Sequence, residues 1–205
     1  MNPFPAALQD ALSSYRVLLN TLHIPPHQII FAGATLATSL LCYLHEFGSA
    51  INTPEPKCAV LLSPWVDPFY YDASDNPHCV PTSFQEPTVV IWSAHSYAGS
   101  LSAPKTDPYI TSLGNPFPTP VPLFVSAGTA ELLFERITQW VKEMRGIEGN
   151  LVELHNEEDA LHDTYFIADL MGFEESAWDV NWLRRRLQRL CKSSGYRRQY
   201  IAQCQ

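Results

Sequence analysis

Three side chains follow one another along the chain with the chemistry of a nucleophile, an acid and a base: Thr35, Glu131 and His162. Thr35 lies in Gly33-Ala34-Thr35-Leu36-Ala37-Thr38, a turn of small residues between an apolar run and a helical pattern. Glu131 ends Gly128-Thr129-Ala130-Glu131, and His162 belongs to the acidic stretch Glu157-Glu158-Asp159-Ala160-Leu161-His162-Asp163. A hydroxyl attacks only when a base takes its proton, and a carboxylate that accepts from the ring N–H holds the imidazole in one tautomer. The backbone N–H of Leu36, one residue past the hydroxyl, is then the local donor for an oxyanion. Simpler readings compete with this one. A histidine in an acidic loop is usually only exposed, and a glutamate at a helix start complements the helix dipole. His155 and His162 among three carboxylates also raise a metal site. They are not at helical metal-ligand spacing and no cysteine joins them, so no metal, and no other cofactor, is expected.

The elements that must position these residues are read from hydrophobic period. Ala7, Leu8, Ala11, Leu12, Tyr15, Leu18, Leu19 and Leu22 have helical spacing, and Pro25-Pro26 stops that helix. Gln28–Ala32 is a short β-type run ending at Gly33, and residues 36–47 return to helix. Strands are expected again at 59–62, 121–126 and 151–155. Helices are expected around 87–94, over 131–145, near 163–171 and over 175–191. Strands alternating with helices imply βαβ units and a parallel sheet, here of about four strands in chain order with helices on both faces. Sites in such sheets gather at the carboxyl ends of strands. The residues just after Ala32, Leu62, Ser126 and His155 therefore matter most.

The chain order of hydroxyl, acid and histidine is that of α/β-hydrolases. Three further segments carry the likeness: Leu62-Ser63-Pro64-Trp65-Val66-Asp67-Pro68, Asp107-Pro108-Tyr109-Ile110 and Gly172-Phe173-Glu174-Glu175-Ser176-Ala177-Trp178. From Phe4 to Trp178 the chain resembles the hormone-sensitive-lipase-like branch of that fold, which includes esterases and many fungal pathway hydrolases. The resemblance implies a truncated hydrolase domain over residues 1–183, the C-terminal half of the family fold, with four of its roughly eight strands. It puts the acid at Glu131 and the base at His162.

Two departures argue against ordinary ester hydrolysis. The branch's nucleophile elbow reads Gly-Asp-Ser-Ala-Gly-Gly, and threonine stands here at the serine position. An elbow nucleophile with positive φ suits a β-branched residue poorly. Ala37 and Thr38 further crowd a turn that relies on glycine. No Gly-x-Ser-x-Gly occurs elsewhere, and Ser39, Ser63 and Ser126 read as helix, strand-end and strand residues. The branch's oxyanion loop, His-Gly-Gly-Gly, precedes the helix with which this chain opens. The expectation is a hydrolase relative with impaired or lost esterase activity. The alternatives are a cyclase- or isomerase-type enzyme using His162 and Glu131 as acid and base, and a non-catalytic binding or assembly protein.

Composition narrows the partners. The formal charge of −8 argues against general nucleic-acid binding. It is unevenly spread, since residues 184–205 carry 7 basic and no acidic side chains, marking a basic C-terminal helix or tail. Five scattered cysteines without a CxxC pair read as reduced thiols. No signal-peptide pattern and no spanning apolar run occurs, so a cytoplasmic location is expected. The partners expected are a small apolar or ester-bearing molecule, and a second copy or another chain at the 28–32 strand. That strand lacks the charges and prolines that blunt a free sheet edge.

Overall fold

The computed structural model describes residues 2–70 and 87–164. Within them run α1 (Ala6–Asn20), β1 (Ile30–Gly33), α2 (Thr35–Phe47), β2 (Cys58–Leu62), α3 (Pro87–Ala98), β3 (Leu123–Gly128), α4 (Phe134–Arg145) and β4 (Val152–Glu157). The segment 172–178, the helix expected over 175–191, most of the one near 163–171 and the boundary at 183 lie outside the described residues.

Prolines decide where two strands start. Pro25 and Pro26 lead into a 3-10 turn over Pro26–Gln28, in which the N–H groups of Gln28 and Ile29 donate to the carbonyls of Pro25 and Pro26. Those donors are lost to a ladder, so β1 begins two residues after its apolar run does. Pro122 has no N–H to offer. β3 accordingly begins at Leu123 rather than Val121, while the Pro122 carbonyl accepts from the Ala59 N–H. α4 starts at Phe134, not at Glu131, which leaves Glu131 in the turn ahead of the helix.

The four strands form one parallel sheet in the order β1-β2-β3-β4, as the alternation of elements implies. Register places Phe31, Ala59, Leu123 and Val152 in one row, with Leu61, Val125 and Leu154 in the next of the same parity. Alternate residues share a face, and these pack against Leu41 and Cys42 of α2 and Ile137, Trp140, Val141 and Met144 of α4 in one core. These two crossovers therefore lie on the same face of the sheet. Parallel connections are right-handed, so crossovers advancing in one direction across a sheet fall on one side of it. α1 packs on α2 through Leu8, Tyr15, Leu40 and Leu44. Cys58, Val60 and Phe124 point to the opposite face and are buried as well, which is why β2 and most of β3 read as near-continuous apolar runs. β3 is buried at all six positions, whereas β1 alternates exposed and half-buried residues at the sheet's edge.

Candidate active site at the strand ends

The carboxyl ends of the strands carry the candidate residues. Glu131 follows β3 after a tight turn, its N–H donating to the Gly128 carbonyl while its Oε1 accepts from the Gly128 N–H at 3.1 Å. Only 1% of Glu131 is exposed, an environment that an ionised carboxylate tolerates only when paired. His162 supplies the partner from the loop after β4. Its Nδ1 lies 2.7 Å from Glu131 Oε2, the geometry of a ring N–H donating to a carboxylate. Its Nε2 lies 3.4 Å from Asp163 Oδ2, so both ring nitrogens face carboxylates.

Gly128 makes this meeting geometrically possible. A Cβ there would stand 2.2 Å from the Ala160 carbonyl oxygen and 2.7 Å from that of Leu161. The loop bearing His162 thus lies directly on the end of β3, where only glycine leaves it room. The Ala130 N–H donates to Ala160 O, and Thr129 Oγ1 accepts from the Asp159 N–H, pinning the loop further.

Burial pushes the Glu131 carboxyl up from its usual range, against the hydrogen bond and charge of His162 and the hydrogen bonds from Ser63 and Gly128. Burial alone lowers His162, but the hydrogen bond and charge of Glu131, with the charge of Asp163, outweigh it and raise the imidazole overall. Both directions keep a proton within the pair.

Thr35 is arranged differently. It is the first residue of α2, and its hydroxyl donates to the Trp65 carbonyl at 3.2 Å and accepts from the Trp65 N–H at 3.0 Å. The expectation of a positive φ at the elbow is corrected. Thr35 is not among the positive-φ residues, and the turn is made by Gly33 at φ 156° and by Ala34 at φ −104°, ψ −128°. A β-branched side chain avoids the left-handed region, and glycine takes up the irregularity instead. Leu36, second in α2, has its N–H among the first-turn donors that lack an intrahelical acceptor. Ser39 sits one turn on, donating to the Tyr109 carbonyl at 2.6 Å. It thereby ties α2 to the 107–110 segment, where Asp107 Oδ1 accepts from the Tyr109 N–H.

The structure thus brings Glu131 and His162 together and binds the Thr35 hydroxyl to backbone. Sequence reasoning passed over Gly128, Asp163 and Ser63. Ser63 had its signal in its place just after a buried strand, but its residue type pointed nowhere. Among the described residues no group of three or more metal-ligating side chains gathers. Cys42 is not a competing nucleophile, because burial, then Glu46 and Asp107, push its thiol up to about 12.

Residues 1–166 match the alpha/beta hydrolase fold family. The chain belongs to that family. An esterase of the bacterial hormone-sensitive lipase family superimposes with a TM-score of 0.71 at 21% identity, over 94% of this chain and 61% of that one. A hormone-sensitive lipase from a metagenome library gives 0.68 at 23%, over 96% and 62%. This hydrolase-fold chain therefore spans about three fifths of the length of those solved structures. It is also 43% identical over 70 residues to an acetyl-hydrolase of Streptomyces hygroscopicus, covering 32% of this chain and 22% of that protein. No described helix is long and apolar enough to cross a membrane.

Proposed function

We propose that this α/β-hydrolase chain has impaired ester-hydrolase activity, with Glu131 and His162 as a retained proton-transfer pair and Thr35 no longer a nucleophile. The observation that carries this reading is the Thr35 hydroxyl. Its one proton goes to the Trp65 carbonyl and its oxygen also accepts from the Trp65 N–H. A nucleophilic hydroxyl must instead present its proton to a base. Leu36 N–H is the donor this turn itself offers to an oxyanion.

Hydrolysis of a p-nitrophenyl ester, with labelling by a serine-directed fluorophosphonate, tests the reading. Thr35→Ala is expected to leave any turnover unchanged. Thr35→Ser is expected to gain less than about tenfold and to resist labelling, since one residue does not rebuild transition-state stabilisation. Strong labelling of Thr35→Ser that His162→Ala abolishes overturns the proposal.

The surroundings of His162 favour a second reading, acid–base catalysis of a cyclisation or isomerisation. An imidazole facing carboxylates at both nitrogens holds its proton and delivers it as a general acid. Turnover that survives Thr35→Ala and disappears in His162→Ala distinguishes this from hydrolysis. Turnover indifferent to both leaves the non-catalytic binding role. A groove of about 420 Å³ between α1, β1 and α2, lined by Tyr15, Leu18, Ile30, Leu36 and Leu40, suits a small apolar or ester-bearing molecule. The same groove borders the edge of β1 that no described strand covers, where Ile30 is 44% exposed. We place a further strand there, from a second copy or another polypeptide segment. Sedimentation as a clean monomer at micromolar concentration contradicts that placement.

A further inference from the structure

Ser63 directly follows β2 and contacts both the acid and the loop that carries the histidine. It is 1% exposed, and its backbone has φ 39°, a left-handed conformation that non-glycine residues seldom adopt. Such outliers persist when their surroundings over-determine them, and they cluster at functional sites. The surroundings here are specific. The Ser63 N–H donates to the Ser126 carbonyl at 2.9 Å, continuing the β2–β3 ladder one residue past the strand. The hydroxyl hydrogen-bonds the Glu131 carboxylate, and its oxygen accepts from the Asp163 N–H at 3.4 Å. One buried hydroxyl therefore touches both the acid and the backbone of the residue next to the histidine.

We propose that Ser63 is a positioning residue for the Glu131–His162 pair, its hydroxyl holding the carboxylate and tying the histidine loop to the end of β2. A hydroxyl that donates to the carboxylate favours the ionised form. With Ser63 in place, Glu131 stays charged to lower pH and keeps accepting from Nδ1. The proposal rests on the reading of Glu131 and His162 as a working pair, but it concerns their proton affinity and needs no substrate.

Nitrogen-15 NMR of the His162 ring across a pH titration reads both steps of the pair in the intact protein. In Ser63→Ala the lower, carboxyl-dominated step is expected to rise by roughly one pH unit, the scale of a lost hydrogen bond to a charged group. Ser63→Gly removes the hydroxyl while easing the left-handed backbone, so it must show the same rise with stability closer to wild type. Ser126→Ala is the control. Ser126 is equally buried at the same end of the sheet, but its hydroxyl goes to Glu157, and its variant is expected to leave both steps in place. A coupled wild-type titration that neither Ser63 variant moves, or that Ser126→Ala moves as far, overturns the role of Ser63 alone. A wild-type His162 that titrates as an isolated imidazole overturns the pair, and the role of Ser63 with it.

Discussion

The segment Ser63-Pro64-Trp65 meets both ends of the candidate site, and the two ends differ. On one side, Ser63 faces a carboxylate buried to 1% exposure, whose hydrogen bonds all come from donors held by β2, β3 and the histidine loop. On the other side, the Trp65 backbone both donates to and accepts from the Thr35 hydroxyl. Burial accounts for the contrast. A charge that cannot reach water requires specific partners, so the acid end keeps its geometry. A half-buried hydroxyl has many acceptable partners, and a β-branched one at a helix start settles on the nearest backbone groups.

Changes at the acid end test this contrast most severely. Glu131→Ala leaves three sets of donors without an acceptor and is expected to lower the unfolding free energy by about 3 kcal/mol, read by urea denaturation. A loss below 1 kcal/mol would mean that the pair is solvated and the contrast false. Next comes Gly128→Ala, whose new Cβ meets the Ala160 carbonyl at 2.2 Å and must push the histidine loop away. About 1–3 kcal/mol of destabilisation is expected, together with loss of the coupled His162 titration. An unchanged titration would show that the loop does not need its seat on β3.

At the elbow the expected effects are smaller. Thr35→Val keeps the shape and strands the Trp65 N–H and carbonyl, for about 1–2 kcal/mol, whereas Thr35→Ser keeps the hydroxyl and costs less than about 1 kcal/mol. Equal stability of the valine and serine variants would show that the Trp65 bonds contribute nothing.

The mildest test is pH. The His162 pKa is raised in the fold, above its model-compound value of 6.5, and the Glu131 pKa is raised as well. The folded pair thus holds protons that the unfolded chain releases. Its contribution to stability is complete below about pH 6.5, for the histidine, and disappears as pH rises through the elevated folded value. Melting temperatures are expected to decline through that window, and less so in Glu131→Gln. A rise through the same window would reverse the sign assigned to the pair.

The parallel, chain-ordered sheet was legible because β2 and most of β3 are near-continuous apolar runs and the strands alternate with helical periods. Glu131 and His162 were legible because strand-end placement restricts which acid and histidine in a chain can meet. Four residues at the site could not be read this way, since their roles depend on neighbours distant in sequence. Ser63 bonds a residue 68 positions on and one 100 positions on, and Gly128 matters only because the 160–161 backbone lies upon it. Asp163 gains its place at Nε2 from the turn of a loop. Thr35 was expected to be strained, and instead Gly33 and Ala34 bend while its hydroxyl bonds a backbone 30 residues away. Local pattern alone determined the order of the strands and which charged groups stand at their ends. Which hydrogen bonds those groups make was decided only when the loops closed over the sheet, because a buried polar atom takes whichever partner the packed chain sets within reach.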